Sequence, residues 1–254
     1  MAASARVAPL TRSRGARALG RRLDRNLAAR RLALRLGLWS PAGIELPPEA
    51  PVGVKLELTH RCNLQCPFCY TDSPRHTRAK SIDLSDDDWR RVTADAIQAG
   101  VVEAVVTGGE PLLRRDLALE LLTTLSQARV GTTMNTNGWF VDDAVADHLA
   151  TIPGLQVNIS LDGATASLHD GARGGSGSWG RAVAAVDRLL ARGVRVRLIH
   201  VVTPANLGYV EHLLEHAWLL GAASVRVARV GMLGAAARGG TWDVSARDID
   251  AAIE

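Results

Sequence analysis

No stretch of the 254-residue sequence approaches the run of about 20 apolar residues that a membrane-spanning helix needs. The N-terminal segment also lacks the apolar region and cleavage site of a secretory signal peptide. The Arg21-Arg22 pair is soon followed by further charged residues, which argues against a twin-arginine signal. Because its three cysteines cannot all pair into disulfides, we expect a cytoplasmic protein with no transmembrane segment.

Cysteine is scarce, and all three cysteines, Cys62, Cys66 and Cys69, lie within eight positions. Thiolate ligands select zinc, Cu(I) or iron–sulfur clusters. An iron–sulfur cluster normally takes four protein ligands, so a three-cysteine site predicts a cluster with one open coordination position. An open position on a metal is typical of catalysis rather than of scaffolding.

Two other interpretations of the cysteines remain open. The three thiolates can form a structural zinc site with His60 as the fourth ligand, since short Cys/His spacings are typical of zinc proteins. A buried, inert trio is less favoured, because reactivity rather than packing usually decides where cysteine is kept.

Charge is distributed unevenly along the chain. Residues 1–40 contain ten arginines and one acidic residue, Asp24, for a charge of +9, whereas the whole chain carries only +4. Leucines in this arm recur near helical spacing, so we predict an amphipathic helix that packs on the exterior of the core. Binding of the arm to an acidic peptide, RNA or a membrane surface is the alternative. A proline-rich linker, residues 41–53, would follow.

From residue 54 onward, predicted strands and helices alternate. The predicted strands are 54–59, 103–107, 131–136, 156–161, 194–202 and 224–230. Helices are predicted from the N-cap Ser85 to Gly100, and over 114–129, 141–150, 179–192, 206–220 and 245–254. Six strand–helix units in strict alternation predict a parallel α/β sheet, whose chemistry collects at the carboxyl ends of the strands.

Polar motifs follow several of these strands. Gly108, Gly109 and Glu110, followed by a proline, end the second strand, where glycines would let a ligand approach the backbone or would simply form a turn. Ser160 and Asp162 would share one face of the fourth strand, where they suit ribose hydroxyls, unless Asp162 only forms the turn.

The Cx3Cx2C spacing, with Phe68 before the last cysteine, resembles the cluster-binding motif of the radical S-adenosylmethionine (radical SAM) enzymes. The resemblance implies an open (βα)6 partial TIM barrel over residues 54–240. It also implies that Cys62, Cys66 and Cys69 hold a 4Fe–4S cluster whose fourth iron binds SAM. One electron would then cleave SAM to a 5′-deoxyadenosyl radical that abstracts hydrogen from a substrate.

The other motifs resemble family segments that contact SAM. Gly108-Gly109-Glu110-Pro111 resembles the segment that binds the SAM amino group, and the Ser160–Gly163 and His169–Gly174 segments resemble a pattern of peptide-modifying members. Arg173 would either contact the SAM carboxylate or lie at the surface. Asn206 would either form a hydrogen bond with SAM or cap a helix. Tyr70 would either contact the adenine or pack in the core. The cofactor contacts implied are Tyr70, Gly108, Gly109, Glu110, Ser160, Asp162, Arg173 and Asn206.

For function, the resemblance implies maturation of a ribosomally made peptide, with a flavodoxin- or ferredoxin-type electron donor. Many such relatives carry extra cysteines for auxiliary clusters, and this chain has none. Residues 241–254 would begin a C-terminal helix, so the chain is either a truncated or short form, or a single-cluster enzyme acting on a small molecule. A non-catalytic iron–sulfur electron carrier or regulator is a further alternative.

Overall fold

The computed structural model describes residues 51–78 and 83–253. Residues from Pro51 onward form one compact unit. The predicted helical arm of residues 1–40 lies outside the described residues, as does all of the predicted linker except residues 51–53.

The core of this unit is a six-stranded, wholly parallel sheet in the order β1-β2-β3-β4-β5-β6. Its strands are β1 Gly53–Glu57, β2 Glu103–Thr107, β3 Gly131–Thr136, β4 Gln156–Ser160, β5 Arg195–Val202 and β6 Ser224–Arg229. Each strand pairs with the next one in sequence, and β1 and β6 do not pair with each other. The predicted open (βα)6 arrangement is thereby confirmed.

Eight α-helices accompany these strands in the described residues. They are α1 Ser73–Arg78, α2 Asp86–Gln98, α3 Arg115–Gln127, α4 Asp143–Ala150, α5 Ala166–Arg173, α6 Ser178–Ala191, α7 Val210–Leu219 and α8 Ala246–Ala251. Short 3₁₀ turns at Pro111–Arg114 and Leu207–Tyr209 precede α3 and α7. None of the helices in the described segments is long and apolar enough to cross a membrane.

Helix α2 shows how local sequence sets the element boundaries. Its N-cap, Ser85, accepts a hydrogen bond from the Asp88 backbone N–H at 3.1 Å, and the Asp88 carboxylate accepts one from the Ser85 backbone N–H at 3.1 Å. This capping box satisfies two backbone donors that helix formation leaves unpaired. Acidic residues in the first turn add a favourable interaction with the helix dipole. The predicted start at Ser85 is confirmed.

The two faces of the sheet differ in character. One face packs apolar side chains such as Val106, Met134, Val157 and Leu198 beneath the helices. Parallel sheets covered on both faces carry near-continuous apolar runs. Here many of the alternate positions are polar and only partly buried, as Gln156, Asn158 and Ser160 are on β4. The sheet therefore keeps one face for its core and leaves the other available for a ligand.

Candidate active site

A cavity of about 280 Å³ lies at the carboxyl ends of the strands. All six strands, or the segments that follow them, contribute to its wall. Of the predicted site residues, the cavity is lined by Cys62, Cys66, Cys69, Tyr70, Gly108, Gly109, Ser160 and Arg173. Three others, Glu110, Asp162 and Asn206, do not line it and are buried. The structure thus separates the predicted residues into a wall and a supporting layer.

The cysteine loop, residues 61–72, is held from three sides by backbone hydrogen bonds. The Gln65 N–H donates to the Arg173 carbonyl at 3.1 Å, at the end of α5. The Cys69 carbonyl accepts from the Ala235 N–H at 2.8 Å, in the segment after β6. The Glu110 N–H donates to the Arg61 carbonyl at 2.8 Å, in the turn after β2. Three distant parts of the chain therefore fix the position of this loop.

Glycines make these contacts possible. A Cβ at Gly109 would lie 2.1 Å from the Arg61 carbonyl oxygen, and one at Gly108 would lie 2.6 Å from the Thr59 carbonyl oxygen. Gly174, with φ +63°, and Gly234, with φ +58°, approach the same loop as closely. From the sequence, Gly108 and Gly109 either let a ligand approach the backbone or simply form a turn. In the structure the group that approaches them is the chain's own backbone.

Burial shapes the chemistry of the thiols. Cys66 is 9% exposed, and Cys62 and Cys69 are partly buried. Burial raises the pKa of Cys62 to about 12 and also raises the pKa of Cys66. These two thiols are therefore protonated at neutral pH, and binding of a metal centre must displace their protons.

The geometry around His60 gives the zinc interpretation no support. His60 Nδ1 lies 3.5 Å from Asp83 Oδ1, and its ring lies 4.9 Å from that of His76. Within 51–78 and 83–253, no three His, Cys, Asp or Glu side chains surround a position for a single metal ion. Three soft sulfur donors around one cavity suit a multi-iron cluster, in which each sulfur binds a different iron.

Arg173 is a buried cation in the cavity wall. Its Nε lies 2.6 Å from Asp162 Oδ2, an ion pair without hydrogen-bond alignment, and its Nη1 lies 3.9 Å from Cys66 Sγ. Its guanidinium carbon is 5.6 Å from the centre of the Phe68 ring. The surface alternative for Arg173 is therefore wrong. Its Nη2 is buried with no hydrogen-bond partner in the described residues, and a carboxylate would match this donor.

Asp162 supports Arg173 from below the cavity. It is fully buried, and its Oδ1 accepts a hydrogen bond from the Val201 N–H at 2.7 Å. Burial acts to raise the pKa of Asp162, but the Arg173 guanidinium and nearby donors outweigh it and hold that pKa below its usual range. Ser160 faces the cavity and Asp162 does not. Strand β4 ends at Ser160, so the alternation of side chains between the two faces of the sheet does not extend to Asp162.

Asn206 joins the ends of β4 and β5. Its Nδ2 donates to the Asp162 carbonyl at 3.1 Å and the Val201 carbonyl at 3.0 Å, and its Oδ1 accepts from the Thr203 N–H at 2.7 Å. It stands at the N-cap position of the turn that follows, but its side chain makes no capping hydrogen bond there.

Glu110 joins the ends of β2 and β3. Its carboxylate accepts hydrogen bonds from the Leu112 N–H, the Thr136 hydroxyl and the Asn137 N–H at 2.7–3.1 Å. Burial raises the pKa of Glu110 to about 7. Asn137 in turn donates from Nδ2 to Asn63 Oδ1 at 2.9 Å. Glu110 therefore reaches the cysteine loop through Asn137.

Tyr70 lies at the rim of the cavity and is 45% exposed, so its placement in the core is wrong. Its hydroxyl donates to Glu57 Oε1 at 3.0 Å, and Lys55 Nζ lies 4.1 Å from the centre of its ring. These contacts from β1 hold the ring at the cavity edge.

Sequence reasoning missed the role of His169. This side chain is buried, and its Nδ1 accepts a hydrogen bond from the Asp162 N–H at 3.0 Å, so the ring is the neutral Nε2–H tautomer. Burial, and then the Arg173 charge, lowers the pKa of His169 to about 4. His169 and Arg173 are the buried residues of α5. The signal that could have found His169 is its i, i+4 spacing from the predicted Arg173.

Comparison with known proteins agrees with this geometry. Residues 56–217 match the Radical SAM superfamily. The chain belongs to this superfamily. Its members use a 4Fe–4S cluster and SAM, so the predicted cofactors are confirmed.

Two curated relatives from different genera were matched. The chain is 34% identical over 194 residues to a PqqA peptide cyclase from Ruegeria pomeroyi, covering 76% of this chain and 51% of that protein. It is 33% identical over 183 residues to the mycofactocin maturase MftC from Mycobacterium ulcerans, covering 72% and 48%. The chain thus spans about half the length of these relatives.

Solved structures share the fold. Streptococcus suis SuiB bound to the precursor peptide SuiA superposes with a TM-score of 0.63 at 21% identity, over 72% of this chain and 40% of that one. AnSMEcpe with bound AdoMet superposes with a TM-score of 0.59 at 18% identity, over 71% and 52%. At these identities the likeness extends to the fold alone.

Proposed function

We propose that this chain is the core of a radical SAM enzyme that modifies a ribosomally made peptide. The observation that carries the proposal is the wall of one cavity, where the thiols of Cys62, Cys66 and Cys69 lie with the buried cation Arg173. Membership of the superfamily supports the chemistry. When bound, the cluster and SAM supply the electron and the 5′-deoxyadenosyl radical.

The residues of the chain would bind and orient these groups. Cys62, Cys66 and Cys69 would hold the cluster through their thiolates. The unpartnered Nη2 of Arg173 would bind the SAM carboxylate, since Asp162 already fixes the orientation of the guanidinium. Gly108, Gly109 and Ser160 would line the SAM site, and Tyr70 would border its adenine.

Glu110, Asp162 and Asn206 would act as positioning residues rather than as SAM contacts, since none of them reaches the cavity wall. Glu110 would hold the turn after β2. Asp162 would neutralise Arg173, and Asn206 would hold the loop that carries Asp162. A buried ion pair of this kind is costly to break, because removing one partner leaves an uncompensated charge.

The relatives favour a peptide as the substrate class. One is named a peptide cyclase and another a maturase, and both match the chain at 33–34% identity. A flavodoxin- or ferredoxin-type protein would deliver the electron. The cytoplasm is the expected compartment, since the three thiols must stay reduced to bind iron.

The test is reductive cleavage of SAM under anaerobic conditions. The protein is reconstituted with iron and sulfide, given dithionite and SAM, and assayed for 5′-deoxyadenosine. We expect product from the wild-type protein and none from Cys66→Ala. Ser126→Ala, which removes a partly buried hydroxyl of α3 that lies outside the cavity wall, serves as the matched control and should keep wild-type activity. A correctly assembled cluster that yields no 5′-deoxyadenosine would instead indicate a non-catalytic cluster protein.

A further inference from the structure

Three arginines lie on the cavity face of the sheet, on β5 and β6. We call Arg195, Arg197 and Arg226 the arginine strip. Arg197 is in register with Asn158, and Arg226 is in register with Ile199. Residues in register on neighbouring strands share a face, and Asn158 and Ile199 both line the cavity. Arg195 precedes Arg197 by two positions and so shares this face.

The arginine strip has no carboxylate partner in the part of the chain that the structure describes. Arg197 Nε donates to the neutral hydroxyl of Ser224 at 3.0 Å, and Arg195 and Arg226 are exposed. Several other arginines of the described surface form ion pairs, as Arg90 does with Glu120 and Arg192 does with Asp147, so the absence of a carboxylate near all three strip arginines is a local property of this face. The strip therefore concentrates positive charge that the described residues leave uncompensated.

The half of the same face that β1 and β2 form carries a slight excess of negative charge. On β1, Lys55 is paired with Glu57 at 2.8 Å. On β2, Glu103 lies two strand positions before Val105 and four before Thr107, which lines the cavity. The cavity face is thus positive along β5 and β6 and slightly negative along β1 and β2. An elongated ligand that crosses it would be oriented by its own charges.

Between the two halves lies a row of carboxamides. Asn158 Nδ2 donates to Asn135 Oδ1 at 2.8 Å, and Gln156 Nε2 donates to Asn158 Oδ1 at 2.9 Å. Each carboxamide has more donor and acceptor positions than these two bonds use. The peptide backbone presents the same N–H and C=O groups, so the row suits an extended peptide.

We propose that the arginine strip binds an acidic segment of the peptide substrate and directs a neighbouring residue into the cavity. This inference rests on the proposed function, since it names the class of substrate for that site. β6 is an edge of the sheet, so a chain bound along the strip can continue beyond it. Guanidinium groups suit this role because their planar fork pairs with carboxylates.

The test is binding of a fluorescent oligoglutamate peptide to the reconstituted protein, measured by anisotropy. Oligoglutamine of the same length is the uncharged reference. Arg197→Gln and Arg226→Gln should each weaken oligoglutamate binding by about two- to fivefold, as expected for exposed ion pairs. Arg247→Gln removes the same charge from α8, which packs against the other face of β5 and β6, and should bind like wild type. Binding should also weaken as salt is added.

A charge-reversal variant separates recognition from loss of folding. Arg197→Glu with Arg226→Glu should lose oligoglutamate and gain oligolysine, and a merely misfolded protein would gain nothing. Equal binding of oligoglutamate by the wild type, Arg197→Gln and Arg226→Gln would overturn the strip as the site. Strip-dependent binding of a single-stranded oligonucleotide, with none of oligoglutamate, would overturn the peptide assignment. If wild-type protein cleaves SAM in either case, the proposed function stands without the strip.

Discussion

Glu110 is a carboxyl group whose titration should be visible in protein stability. Its pKa in the folded protein is about 7, above its ordinary value of 4.5, so the folded state holds this proton more tightly than the unfolded chain does. The contribution of Glu110 to the free energy of unfolding should therefore fall by roughly 3 kcal/mol as pH rises from about 4.5 to 7. Chemical denaturation of the metal-free protein across this pH range measures the slope.

Glu110→Gln removes the titration. Because other groups such as His169 make stability rise with pH in this range, the free energy of unfolding of Glu110→Gln should fall less, or rise more, between pH 4.5 and 7 than that of the wild type. Gln also replaces one acceptor oxygen by a donor that faces the Asn137 N–H, which should lower stability by about 1–3 kcal/mol. Glu211→Gln, an exposed change in α7, should keep the wild-type slope. A Glu110→Gln slope equal to that of the wild type would contradict the raised pKa.

Asp162 and Arg173 form a buried ion pair whose two members should not contribute independently. Asp162→Asn leaves the guanidinium buried without a counter-charge, and we expect a loss of about 3–5 kcal/mol in the free energy of unfolding. Adding Arg173→Met removes the uncompensated charge, so the double variant should recover part of that loss. A double-mutant cycle by urea denaturation measures the coupling, and strictly additive losses would show that the two charges do not interact.

At the scale of elements, α5 tests how the cysteine loop is positioned. Gly174→Ala places a Cβ 2.6 Å from the Gln65 carbonyl oxygen at a residue with φ +63°. We expect displacement of the loop and a lower iron content after reconstitution. Gly171→Ala, in the helix that Gly174 caps, is the matched control, because its Cβ meets nothing within 4 Å. It should leave iron content unchanged and raise stability by about 0.5–1 kcal/mol. Equal iron content in the two variants would contradict this role of Gly174.

Alternation of apolar runs was enough to predict all six strands and their parallel order, because each strand buries one apolar face. Helices α1 and α5 were not predicted. Helix α1 has only six residues, and α5 has only eight and buries His169 and Arg173 rather than apolar side chains.

The candidate site was predicted in part. The cysteines and the strand-end motifs do meet at one cavity, as the topology requires. Sequence spacing could not tell which polar residues form the wall and which lie beneath it. That division depends on where β4 ends and on which groups come close to Asp162 and Glu110 in three dimensions. Their placement beneath the wall is a property of packing between segments far apart in sequence.

At the scale of the whole molecule, the cysteine loop is where the segments after β2, α5 and β6 meet. Occupation of the loop by a metal centre should therefore stabilise the described unit as a whole, since binding to the folded state adds to its free energy of unfolding. We expect a higher thermal midpoint after reconstitution, together with slower amide exchange at residues 61–72. A Cys62→Ala, Cys66→Ala, Cys69→Ala variant taken through the same reconstitution should show neither change. If its midpoint rose as much as the wild type's, iron would be acting elsewhere.

Within the described residues β1 and β6 are the two edges of an open sheet, and this openness bears on how the proposed peptide would lie in the site. A cavity of about 280 Å³ is too small to enclose a long extended chain, which lengthens by about 3.3 Å with each residue. The peptide substrate proposed above would therefore place only a short stretch inside the cavity, and the remainder would extend past the open edges of the sheet. The site of modification would then depend on how far the chain is drawn in before it is anchored. Moving the anchoring residues along a substrate should move the modified position with them.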